Sequence, residues 1–167
     1  MSRRTVFLAA GLLALAGAVA WKALGRRAIP DEEAIRLLLD RAARAAEEKR
    51  VSDAVEAVSE RFQGGGLDRR GVKQLVALHV LRGEWVSVSV SGARIRVEDA
   101  GRARANVDVV LARGGAKGKA LEALLPGEAS VHRIACRLER EDGEWRIVEA
   151  SWTPVGLPEA LAGPPAP

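Results

Sequence analysis

The side chains whose types and spacing could do chemistry are few in this 167-residue chain: His79, His132, Cys136 and Asp108. His132 opens an alternating run with Ile134, Cys136 and Leu138, set against Arg133 and Arg137, so it shares the apolar face of a strand. An imidazole there could line a pocket as base, hydrogen-bond donor or ligand contact. The plainer role is a strand-end histidine bonded to backbone. His79 lies one heptad after Val72 in a helical run, the place of a core-rim residue, and no acid stands at a spacing that would orient either histidine. Cys136 packs as a small apolar side chain, with no feature that would lower its pKa. Asp108 lies with Arg104 and Asn106 opposite the apolar row Ala103, Ala105, Val107, Val109 and Leu111, which makes it a solvated or interface-facing carboxylate. The expected lining of any pocket is therefore His79, Val88, His132, Ile134 and Cys136.

Neither a metal nor a cofactor is expected. One cysteine excludes a disulfide within the chain and a cysteine-based zinc site, and two histidines make an all-histidine centre implausible. The Gly114–Ala120 stretch, GGAKGKA, lacks the G-x-x-x-x-G-K-[ST] pattern that cradles phosphates and reads as a solvated loop. Arg94, Arg96, Arg102, Arg104, Arg133 and Arg137 could gather on one sheet face, interleaved with Glu98 and Asp108. Without aromatic stacking residues that face reads as a solvated or homodimer-forming surface, with no nucleic-acid partner. Trp85, Trp145 and Trp152 are expected as packing anchors, and an exposed one would mark an interface.

The charge is unevenly spread. Five bases and no acid fall in residues 1–30, leaving 21 bases against 22 acids in the rest, so the overall +4 belongs to the N-terminal segment. Arg3 and Arg4 precede an uncharged run from Thr5 to Trp21, and Lys22, Arg26 and Arg27 follow it. Seventeen helical residues at about 1.5 Å each span roughly 25 Å, which Trp21 and a snorkelling Lys22 could extend toward a bilayer core. An uncleaved signal anchor is the favoured reading, with membrane contact through residues 5–24. A cleaved secretory signal ending near Ala18-Val19-Ala20, twin-arginine export of SRRTVF, and a buried helix are the alternatives. The location expected is the bacterial inner membrane, single-pass, with a periplasmic globular domain; secretion after cleavage or a cytoplasm-facing domain remains open.

The elements that must position these residues follow from periodicity. Ile35, Leu38, Leu39, Ala42 and Ala46 predict an amphipathic helix from Asp31 to about Arg50. Val55, Val58 and Phe62 predict a second helix, capped by Ser52 or Asp53 and ended by Gly64-Gly65-Gly66. A third runs from Arg69 to about Leu81, capped by Asp68 and closed by Gly83. From Trp85 the period becomes two, and the apolar phase slips from even to odd numbers at Gly92, which predicts a bulge or sharp bend. Turns at Asp99-Ala100-Gly101 and Glu141-Asp142-Gly143 separate further strands, with a long connection over residues 112–129. The tail, 156–167, is Pro/Ala-rich and expected to be disordered. The fold class is α+β: three N-terminal helices on a strongly bent antiparallel sheet, a cone, preceded by one transmembrane or signal helix over residues 1–30.

The third helix ending LHVLRGEW, the bent strand after it and the closing hairpin RLEREDGEWRIVEASW resemble the nuclear transport factor 2-like superfamily, which includes SnoaL-like and ketosteroid-isomerase-like proteins. The resemblance covers about residues 31–155 and implies a cystatin-like cone with a pocket under the helices. Enzymes of that superfamily place an Asp/His or Asp/Tyr set there. This chain has no tyrosine, so the phenol donor of the isomerase type is missing. The expectation is a membrane-anchored, non-catalytic envelope domain that binds a partner protein or a small apolar ligand. A small isomerase, lyase or cyclase-like enzyme with a histidine base, and a structural dimerisation module, are the alternatives.

Overall fold

The computed structural model describes residues 29–83, 87–112 and 129–167. The expected anchor at 5–24, Trp85 and the GGAKGKA loop lie outside the described residues. No helix among the described residues is long and apolar enough to cross a membrane.

Helix α1 spans Asp31–Glu47, ending just before the expected Arg50, with three acids in its first turn; it buries Ile35, as the apolar spacing predicts, and Ala45 in place of the expected Ala46. The second helix does not extend as expected: α2 is one turn, Val51–Ala54, and the chain then becomes strand β1, Val58–Gln63. The four-residue spacing of Val58 and Phe62 fits a helix and a strand alike, since residues i and i+4 share a face in both. Val58 pairs with Ile147 and Gln63 with Glu149, so five steps along β1 match two along its neighbour. That slip breaks the alternation, so Glu60 and Arg61 both face out between the buried Ser59 and Phe62. Helix α3, Arg69–Arg82, has the expected caps: the Asp68 carboxylate accepts from the Gly71 N–H at 2.7 Å, and Gly83 closes it in the left-handed conformation.

Strands β2 (Ser87–Asp99), β3 (Arg102–Ala112), β4 (Ala129–Glu141) and β5 (Glu144–Val155) form an antiparallel meander. Strand β1 adds to β5 in parallel, giving the order β1-β5-β4-β3-β2. The sheet is thus five-stranded and mixed, where antiparallel strands alone were expected. The phase slip at Gly92 is a bulge: Val90 pairs with Val109, but Gly92 pairs with Asp108. Two positive φ angles, at Asp142 and Gly143, shape the β4–β5 hairpin turn.

Three apolar clusters result, the smallest being Val55, Val58 and Phe62 beside α3, and the other two lie on opposite faces of the sheet. Under α1, Ile35 packs with Ala103, Ala105, Val107, Cys136, Leu138 and Trp145. On the opposite face Val110, Ala112 and Val131 pack with Ala160, which belongs to the last helix, α4 (Leu157–Leu161). The tail is therefore ordered, against expectation. Ala160 and Pro164 are buried, so a segment poor in large apolar residues still finds two that fit the sheet.

Candidate functional site

The sheet face turned toward α1 carries four of the five expected lining residues. In register, His132 stands between Val109 and Pro154, Ile134 between Val107 and Trp152, and Cys136 between Ala105 and Ala150. Val88 lies on the same face near the start of β2 and is buried. Strand pleating thus puts Val88, His132, Ile134 and Cys136 on one face, with Val88 level with Ser130 and so about 20 Å along the strands from Cys136. His79 sits on α3, which packs against α2 and β1, and is half-buried there.

The depth of the four differs, and this corrects the expected pocket. Cys136 is enclosed in the core beneath Ile35; its thiol faces the Ala105 carbonyl at 3.5 Å, and burial pushes its pKa up to about 12. It is a protonated core thiol, 7% exposed. His132 and Ile134 are half-buried, so the accessible part of this face begins at Ile134 and runs toward His132. The cross-strand neighbours of His132 are both apolar, so the sheet itself sets no carboxylate directly beside the imidazole.

Glu47, at the end of α1, was not singled out by its sequence position. Its carboxylate accepts from the Ser87 hydroxyl at 3.1 Å and the Val88 N–H at 3.2 Å, capping the free edge of β2 where that strand begins. The flank at β5 is apolar. Trp152 is 38% exposed, and its ring lies against the backbone of Gly65, where a Cβ would collide with it. Trp152 stands across from Ile134 on the helix-facing side, not on the open sheet face where an exposed ring would mark an interface; Trp145 is a core anchor, 5% exposed under the Arg140 guanidinium.

Helix α3 adds an exposed apolar row. Leu75, Leu78 and Leu81 recur every three residues and are 37%, 42% and 83% exposed, whereas Val72 and Val76 turn into the small core of Val55, Val58 and Phe62. Fourteen residues of helix leave no side chain fully buried.

Asp108 is not solvated, which is the second correction. It is 0% exposed on the sheet face away from α1, and its carboxylate takes both arms of the Arg133 guanidinium, Nε to Oδ1 at 2.8 Å and Nη2 to Oδ2 at 2.9 Å. Arg133 stands directly across from it on β4. The pair therefore leaves the group of exposed arginines expected on this face. Arg104 pairs with Glu98, and Arg137 bridges Glu139 and Glu149. Among the described residues no group of three His, Cys, Asp or Glu side chains is placed to hold a metal ion.

No protein-family model matches the chain, and no curated protein matches it by sequence. Solved structures do match in shape. A cystatin-like protein of unknown function from Nostoc punctiforme superposes with a TM-score of 0.58 at 12% identity, over 75% of this chain and 91% of the other. An NTF2-like protein of unknown function from Pseudomonas putida gives 0.57 at 11%, over 71% and 82%. A hexachlorocyclohexane dehydrochlorinase gives 0.53 at 16%, over 75% and 88%. The chain has the cystatin-like, NTF2-like α+β fold; likeness at this identity concerns architecture and carries no chemistry.

Proposed function

We propose that this chain is a membrane-anchored, non-catalytic binding domain of the cell envelope that holds a partner protein or a small apolar ligand. The observation that carries the reading is the row Leu75, Leu78 and Leu81, exposed along one helix whose valines alone reach the core. Three leucines in a line on an ordered helix cost solvation that a bound apolar surface recovers, at about 25 cal/mol per Å² covered. Two of the four groups able to do chemistry are engaged elsewhere: Asp108 with Arg133 beneath the tail, Cys136 inside the core. The anchor rests on the uncharged run Thr5–Trp21 and its flanking bases.

The test is native mass spectrometry of the full chain, extracted gently from its own host's membranes. Wild-type protein should carry an apolar molecule or a partner that Leu75→Glu with Leu78→Glu releases without lowering the melting temperature. A chain found in the soluble fraction, or one that carries nothing, would overturn the proposal.

A second reading, a small pocket enzyme with His132 as base, draws on the half-buried place of that imidazole on the helix-facing sheet surface. The fold likeness to a dehydrochlorinase is consistent with it. It predicts turnover that His132→Ala abolishes while the fold persists.

A further inference from the structure

Helix α3 is basic as well as apolar on its open side. Its sequence, RRGVKQLVALHVLR, carries Arg69, Arg70, Lys73 and Arg82 and no acid. Arg69 is taken up by Glu60, but Arg70 and Lys73 are exposed and have no ion-pair partner among the described residues. At about 100° per residue, Arg70, Gln74 and Arg82 fall among Leu75, Leu78 and Leu81, all of them exposed, and Lys73 falls on the flank. Leucines interleaved with cations thus cover one side of the helix, while Val72 and Val76 fill the core on the other.

The charge narrows what can cover this face. A second copy of the chain would set Arg70 and Lys73 of one copy against those of the other, with no carboxylate on either helix to separate them. An anionic bilayer fits both features. A helix with leucines and cations on one face lies along the boundary between headgroups and acyl chains, its apolar side chains sunk and its bases at lipid phosphates. The chain also holds such a surface close. Only residues 22–30 separate the uncharged run Thr5–Trp21 from α1, and nine residues span at most roughly 30 Å. A tether that short keeps lipid at high effective concentration around the domain, ahead of a protein with an acidic groove that must arrive by diffusion.

We infer that α3 docks on the anionic lipid surface of the membrane that holds the anchor, with Leu75, Leu78 and Leu81 entering the acyl boundary and Arg70 and Lys73 meeting lipid phosphates. This docking rests on the proposed anchor and names the apolar ligand of the leucine row: lipid acyl chains.

The test places an environment-sensitive fluorophore on the full chain at Gln74→Cys, within the exposed face, in a Cys136→Ala background that leaves one thiol to label. Arg94→Cys in the same background is the control, exposed on β2 at the far end of the sheet from β1. Both chains are reconstituted into vesicles of phosphatidylcholine with phosphatidylglycerol that contain doxyl-quencher acyl chains. The Gln74 label should be quenched at least about twofold more than the Arg94 label, and the excess should fall in phosphatidylcholine alone. Arg70→Gln with Lys73→Gln, or Leu78→Glu with Leu81→Glu, should remove it without changing the melting temperature. Equal quenching at both positions, in a chain that floats with the vesicles, would overturn the docking and leave the anchor standing. A chain that does not float would overturn the anchor and the docking with it. Should the Gln74 label stay unquenched while Leu75→Glu with Leu78→Glu releases a bound protein, the row belongs to that protein and the lipid assignment is wrong.

Discussion

Arg133 and Asp108 face each other across β3 and β4 as a two-armed ion pair, and residues 159–163 close over the arginine side through the Glu159 carboxylate and the Gly163 carbonyl. The two partners are unequally replaceable. If Asp108 goes, Arg133 keeps Glu159 and a backbone carbonyl; if Arg133 goes, a carboxylate whose side chain is 1% exposed loses both its ion-pair bonds. A buried charge left alone costs about 3–5 kcal/mol. Arg133→Met should therefore destabilise by about that amount, and Asp108→Asn by distinctly less. Urea denaturation of both variants checks the order, and equal losses would contradict it.

Neither residue was recognisable as one half of a pair from the sequence. Alternation placed Asp108 on the polar side of β3 and Arg133 on the polar side of β4, which is where they are, but a polar side normally faces water. Here the Pro/Ala-rich tail covers it, and covering depends on two small buried residues, Ala160 and Pro164, that no periodicity marks. The strands, the Gly92 bulge, the caps of α3 and the helix-facing set of His132, Ile134 and Cys136 were legible because each depends on local pattern. Strand β1 was not: the four-residue spacing of Val58 and Phe62 fits a helix as well as a strand, the bulge between them spoils the alternation that would tell the two apart, and the partner β5 lies far along the chain.

The junction of β1 with β5 tolerates no added bulk at Gly64. A Cβ there would run into the Ala150 carbonyl oxygen and the Phe62 ring, both held by the core. Gly64→Ala should cost about 1–3 kcal/mol by overpacking, whereas Gly101→Ala, at a turn with only the Asp99 carboxylate nearby, should stay within about 0.5 kcal/mol. Thermal melts of the two variants make the comparison.

At the outer edge of the sheet, Glu141 accepts from Arg61 and from the buried Ser59 hydroxyl at 2.8 Å. Its pKa lies below the ordinary glutamate value because the Arg61 and then the Ser59 hydrogen bonds favour the carboxylate. A depressed folded-state pKa contributes stability that is complete above the unfolded value of about 4.3 and is lost as pH falls through the folded one. Glu141→Gln should thus be less stable than wild type at pH 7 and converge with it as pH drops below about 4. Urea midpoints at stepped pH follow the convergence, and parallel curves would rule it out.

Cys136 has the opposite sign. Its thiol is raised to about 12 by burial, so the folded protein keeps a proton that the unfolded chain releases from about pH 8.5. Its contribution is complete below that pH and is lost as pH rises toward the folded value, at about 1.4 kcal/mol per unit for one proton. The chain has no tyrosine to titrate in that window, although lysines do, so the comparison is with Cys136→Ala. Wild type should lose stability faster than the alanine variant between pH 8.5 and 10. Iodoacetamide at pH 8 should label Cys136 only as fast as the domain opens, since the thiolate forms only there. Rapid labelling of the fully folded chain, with no dependence on urea, would place the thiol at an accessible surface and undo the core assignment that closes this part of the pocket.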